Sequence, residues 1–276
     1  MGRPDVGTIH FTKMAGAGND FVMVNACSPA VRLDWNRLAS IWCRPKTGIG
    51  ADGLVVLEPD VSADFAMRIF NADGTEAEMC GNGARCAALF AMRQGLAGPV
   101  MRFRTGAGFI GARVDGTDAA IEMTDPCGLE TGVDLEVAGD TLTVHVVNTG
   151  VPHAVVFTRR VDDEPVDRLG PLVRNHERFR PAGTNVDFVE IVSPDTLKAR
   201  TYERGVEAET LACGTGAVAS AVVAHRMGVV DATSVKVMMR GGDLMVSFAT
   251  SPRGYCGVML MGPVDEVFRG EIEVPS

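Results

Sequence analysis

The hydrophobic positions of this chain fall into short alternating runs, broken twice by long stretches of small residues. Residues 9–11 and 21–24 read as two strands, joined by a turn that contains Gly16, Gly18, Asn19 and Asp20. Residues 33–42 carry helical spacing with Asp34 as the cap. Residues 54–57 form a continuous apolar run suited to a buried strand, and 65–70 alternate as a strand. A small-residue helix is predicted over 83–94, then short strands with Gly-rich turns over 100–123, more strand over 133–147, and an apolar run at 154–157. The charged segment 159–178 reads as a surface helix with its loops. A strand at 197–202, a second small-residue helix at 216–227, and strands near 235–239, 244–248 and 258–261 complete the pattern.

Two of these blocks repeat. Strand, polar link and helix around Glu78-Met79-Cys80-Gly81-Asn82-Gly83-Ala84 recur around Leu211-Ala212-Cys213-Gly214-Thr215-Gly216-Ala217. Arg68 and Phe70 match Arg200 and Tyr202, and Glu76-Ala77-Glu78 matches Glu207-Ala208-Glu209, the second link being one residue longer. Gly183 to Val189 echoes Gly18 to Val22. The repeat is too long for a solenoid. It divides the chain into an N-terminal half, 1–124, and a C-terminal half that runs from 125.

Composition narrows the class. At 276 residues, with 46% hydrophobic and 22% charged residues, the chain is that of an ordinary folded protein. A formal net charge of −9 argues against a nucleic-acid partner, and no run of about 18 apolar residues points to a membrane. Residues 1–6 carry no apolar leader pattern, and seven cysteines without a framework spacing fit a reducing compartment, so a cytoplasmic location is expected.

The chemistry rests on two of those cysteines. Cys27, Cys43, Cys86, Cys127 and Cys256 read as packing residues. Cys80 and Cys213 stand instead where a glycine-rich turn enters a helix, and unpaired N–H groups there favour a thiolate and bind an anion such as a carboxylate. Two such thiols on opposite sides of an α-carbon would remove a proton from one face and return one to the other. That reading is amino-acid epimerisation with no electron-sink cofactor. Zinc lacks its C-x₂-C spacing, no phosphate-binding glycine motif is present, and a non-catalytic carboxylate-binding module stays as the alternative.

At these residues the sequence resembles the diaminopimelate epimerase family. The resemblance is carried by Lys13-Met14 to Phe21, Gly48 to Asp52, Phe70 to Gly74, Met79 to Cys86, Pro152-His153, Asn185, Glu203-Arg204-Gly205 and Ala212 to Gly216. It implies an α/β (α+β) fold of two pseudo-symmetric halves, each a mostly antiparallel or mixed sheet wrapped on a central helix, with the C-terminal tail 265–276 returning to the first half so that the second ends at 264, and a homodimer. It implies L,L-2,6-diaminopimelate as substrate, with Cys80 and Cys213 alternating as base and acid; an epimerase of another amino acid is the runner-up. Gly81, Asn82, Gly214 and Thr215 would hold the reacting carboxylate, and Glu203 with Asn19 the ammonium group. Asn71, Asn185 and Arg204 would bind the distal end. His153 would be a polar neighbour that tunes the first thiol, or a satisfied histidine. Two positions depart from the family pattern: Gly53 stands where many members carry Gln, and Val151 where many carry Asn.

Overall fold

A computed structural model describes residues 7–27 and 31–275. Residues 1–6, on which the reading of the N-terminus rests, lie outside them. Among the described residues no helix is long and apolar enough to cross a membrane. The chain separates into two compact units, Met1–Ile121 with Pro263–Ser276, and Glu122–Gly262.

Both units are built in one order. In the first, strand Asn19–Asn25 pairs antiparallel with Thr8–Gly16 and parallel with Gly53–Glu58, the crossover being helix α1 (Trp35–Trp42). Gly53–Glu58 runs antiparallel to Phe65–Asn71, which pairs in parallel with Val100–Thr105 through helix α2 (Gly81–Arg93). The second unit repeats this sequence of pairings. Pro152–Thr158 is antiparallel to Asp140–Asn148 and parallel to Asn185–Ser193, with helix α3 (Val166–Arg174) as crossover. Asn185–Ser193 runs antiparallel to Thr196–Glu203, which pairs in parallel with Ser234–Met239 through helix α4 (Gly214–Arg226). The last strand, Asp265–Glu273, returns to pair with Thr8–Gly16.

Helices α1 and α3 cover the outer faces. Asp34 caps α1 by accepting from Arg37 N, and Trp35, Leu38 and Trp42 pack on Val22, Val24, Leu54 and Val56. In the second unit Val166 and Val173 pack on Val186, Phe188 and Tyr202. Helices α2 and α4 are different: from Asn82 to Ala91, and from Gly216 to Ala224, every residue is buried. A helix buried all round must be narrow for a sheet to close on it, which is what its alanines and glycines provide.

The pairing register corrects two readings of the repeat. The segment Gly183 to Val189 corresponds to Gly53–Glu58 and not to the strand after Gly18, because both follow the crossover helix and both run antiparallel to the strand that leads to a cysteine. Within the links, Glu76 corresponds to Glu209 and not to Glu207. Glu76 lies opposite Phe70 and Glu209 opposite Tyr202. Each accepts a bidentate pair of hydrogen bonds from the preceding strand, Arg68 at 2.7 and 2.8 Å and Arg200 at 2.7 and 2.7 Å. The extra residue therefore lies between Tyr202 and Glu209.

Candidate active site

Both thiol helices begin two residues earlier than spacing predicted, at Gly81 and Gly214, and this makes Cys80 and Cys213 their N-caps. Each cysteine is extended, with φ −142° at Cys80 and −121° at Cys213, and each offers its carbonyl to the helix at Ala84 and Ala217. Leading N–H groups of an α-helix have no carbonyl inside it, so each cysteine stands beside anion-binding donors. Cys213 Sγ accepts from Gly216 N at 3.4 Å and lies 3.3 Å from Thr215 Oγ1. Cys80 is half-buried, whereas Cys213 is buried.

The floors beneath the two helices differ. In the first unit a Cβ added at Gly83 would meet Ile69, Met67 and Phe21, all apolar. The equivalent Gly216 faces Asp187 and Thr201. By register Phe21, Val55 and Ile69 correspond to His153, Asp187 and Thr201. An apolar trio has become a buried polar one. His153 Nδ1 and Asp187 Oδ2 are 2.7 Å apart, and Thr201 Oγ1 donates to Asp187 Oδ1 at 2.7 Å. Sequence reasoning missed Asp187 and Thr201; the available signal was one acid inside the apolar run 186–189.

Burial first, and then neighbouring acids, set the proton affinity of Cys213. Burial raises its thiol well above the ordinary value, and the negative charges of Glu203 and Asp187 raise it further. Burial also raises Glu203, which accepts from Thr210 Oγ1 at 2.5 Å and shares a hydrogen bond with the Cys213 thiol. Asn185 Nδ2 donates to Pro152 O at 3.2 Å and lies 3.4 Å from His153 Nε2, and Asn185 Oδ1 accepts from Arg204 N at 2.8 Å. The structure thus gathers Cys213, Glu203, Asn185 and His153 into one connected set, with the Arg204 guanidinium reaching Ala182 O at 3.3 Å.

In the first unit a hydrogen-bonded line runs along the start of α2. Arg85, fully buried, donates to Asn82 Oδ1 at 2.6 Å; Asn82 Nδ2 donates to Asn19 Oδ1 at 2.7 Å; Asn19 Nδ2 donates to Asp52 Oδ2 at 2.9 Å. Asp52 N donates in turn to Asp20 Oδ1, whose carboxylate pairs with Lys13 at 2.7 Å. Asn71 lies opposite Gly53, with its amide donating to Thr75 Oγ1 at 2.9 Å. Gly53 itself has no room for a side chain, since a Cβ there would stand 2.7 Å from the Phe70 carbonyl oxygen. Burial pushes Cys43 and Cys86 up to about 12, away from reactivity, and both pack as expected, whereas Cys127, read as a packing residue, is exposed on its strand.

The sequence profile described as diaminopimelate epimerase matches residues 11–128 and 145–267. The diaminopimelate epimerase of Aquifex aeolicus is 42% identical, over 96% of this chain and 98% of its own length. The chain belongs to the diaminopimelate epimerase family. Within that family, the enzyme of Chlorobaculum tepidum is 41% identical, over 94% of this chain and 99% of its own length. The protein is accordingly an isomerase that epimerises diaminopimelate. The fold extends further. A phenazine biosynthesis protein of the PhzF family from Bacillus anthracis superposes with a TM-score of 0.74 at 14% identity, covering 97% of this chain and 99% of its own. A hydroxyproline epimerase from Agrobacterium vitis superposes with a TM-score of 0.70 at 16% identity, over 98% and 93%.

Proposed function

We propose that this diaminopimelate epimerase inverts one centre of L,L-2,6-diaminopimelate, giving the meso form, with Cys80 and Cys213 as an acid–base pair. One thiolate takes the α-proton; the other thiol gives its proton to the opposite face of the same carbon. The electron pair left by the C–H bond spreads into the α-carboxylate and then takes the delivered proton. Each turnover exchanges the protonation states of the two sulfurs. The observation that carries this reading is the repeated helix start, a cysteine at the N-cap of a small-residue helix in each unit.

An α-proton of an amino acid is a very weak acid, so the charge that grows on the carboxylate needs donors already in place. The N–H groups at Gly81, Asn82, Gly214 and Thr215 serve that purpose; in another enzyme, loss of one such donor costs about 2.7–4 kcal/mol. A two-base isomerase also needs one sulfur protonated as the other is not. The surroundings of Cys213 favour its protonated form. Glu203 with Asn19 takes the ammonium group, and Asn71, Asn185 and Arg204 take the distal end, their polarity matching an amino-acid terminus. His153 is a polar neighbour that tunes the first thiol. The same reading makes the protein a cytoplasmic homodimer of lysine and peptidoglycan precursor synthesis, acting without pyridoxal phosphate on a free amino acid.

The test is stereochemical. With Cys80→Ala or Cys213→Ala, epimerisation falls by at least the roughly 10²–10⁴ that positioned acid–base groups contribute. In D₂O the wild-type product carries deuterium at the α-carbon. Near-normal turnover in either variant, or product without deuterium, rejects the two-base reading.

A further inference from the structure

Arg85 carries a buried charge that the proposed chemistry does not use. It is 0% exposed, its Nε has no hydrogen-bond partner, and no ion pair with a carboxylate satisfies it among the described residues. Burying such a group is costly, so its retention needs a reason. The reason lies in the line it begins. A guanidinium can only donate and an ionised carboxylate can only accept, whereas a side-chain amide can turn over and do either. Arg85 at one end forces Asn82 to point its oxygen inward, at 2.6 Å. Asn82 must then donate to Asn19 at 2.7 Å, and Asn19 must donate to Asp52 at 2.9 Å.

We propose that Arg85 is a positioning residue that, together with Asp52, fixes the direction of the Asn82–Asn19 amide line. Each of the two amides spends one N–H on the line and keeps its second. With the direction fixed, the pair offers N–H groups and not carbonyl oxygens beside the N-terminus of α2, a surface suited to a carboxylate and unsuited to a cation. Either end alone holds the direction, and releasing both lets the two amides turn and present an oxygen to the substrate's negative charge. Two ends that act through one line give a non-additive pair, although three hydrogen bonds separate them.

The inference rests on reading Asn82 and Asn19 as substrate contacts. The experiment measures kcat/KM for diaminopimelate in R85M, D52N and the double variant, with R85K as the conservative control, and in N82A and N19A. Expected is a fall of no more than about threefold in R85M and in D52N, less still in R85K, and a fall of roughly a hundredfold in the R85M/D52N double variant, well beyond the product of the two single losses. A double variant whose loss is only the product of the single losses, or a single variant that loses as much as the double, overturns the proposal. Should R85M not fold, R85Q, whose amide can donate or accept, releases the same end and takes its place in the double variant, Asp52 being exposed. If N82A and N19A keep normal kcat/KM, the substrate-contact reading has failed; if they lose it while R85M and D52N multiply, only the amide line has.

Discussion

His153 Nδ1 and Asp187 Oδ2 are 2.7 Å apart beneath α4, with neither side chain exposed to solvent. The equivalent positions beneath α2 are Phe21 and Val55, and Ile69 takes the place of Thr201. The two halves have kept one backbone and filled the same space with opposite chemistry. Changing one member of the polar trio and changing all three should therefore differ.

Asp187→Val leaves Thr201 and His153 with a buried polar atom each that has lost its partner, and each such atom costs about 1–3 kcal/mol. Urea unfolding should show a loss of roughly 2–6 kcal/mol, the sum of those two costs. The triple variant His153→Phe, Asp187→Val, Thr201→Ile copies the first unit's set and removes every orphaned group. It should recover much of that loss. A triple variant less stable than the single one would show that the trio does more than satisfy itself.

Cys213 should respond to the charge beside it. Negative charge disfavours a thiolate, so Glu203→Gln lowers the Cys213 thiol towards its ordinary value and moves its alkylation to lower pH. The measurement is the rate of iodoacetamide labelling against pH in a Cys80→Ala background, read at Cys213 by mass spectrometry. An unchanged midpoint, or one moved to higher pH, contradicts the assignment.

Gly216 and Gly83 occupy the same step of the repeat but should tolerate alanine differently. A Cβ at Gly216 would stand 2.3 Å from Asp187 Oδ1 and 3.0 Å from Thr201 Oγ1, both fixed by hydrogen bonds. Overpacking of that kind costs about 1–3 kcal/mol or more. At Gly83 the nearest atom is the flexible end of Ile69 at 3.0 Å, and the helix gains roughly 0.8–1 kcal/mol from replacing Gly by Ala. Gly83→Ala should be near neutral in thermal unfolding and Gly216→Ala clearly destabilised. Equal shifts in the two variants would count against the packing described.

Gly53→Gln tests the departure from the family pattern. The Phe70 carbonyl oxygen lies 2.7 Å from where the new Cβ would be, and Gly53 opens a strand that is paired on both sides. Restoring the family's residue should lower stability by about 1–3 kcal/mol. A variant as stable as the wild type with tighter substrate binding would show that the strand yields easily.

Much of this protein was legible along the chain. Periodicity marks α1 with its Asp34 cap and most of the strands, because an alternating or helical pattern is local and one face of each element must be buried. The duplicated Cys-Gly-x-Gly-Ala motif marks both helix starts and both thiols, since the backbone needs of a helix N-terminus are written in adjacent residues. Short strands such as Glu76–Ala77 and Ala208–Thr210 carried too little pattern to see. What tertiary structure alone decided is which residues of one half answer to which of the other. Strand register is a long-range property, set by partners up to tens of residues apart, so the resemblance of Gly183–Val189 to Gly18–Val22 misled while pairing placed it with Gly53–Glu58. Only that register sets Phe21 against His153 and Val55 against Asp187. The motif around Cys80 and Cys213 makes the two thiols look alike, and it is the side chains buried beneath their helices, contributed by distant strands, that make them different.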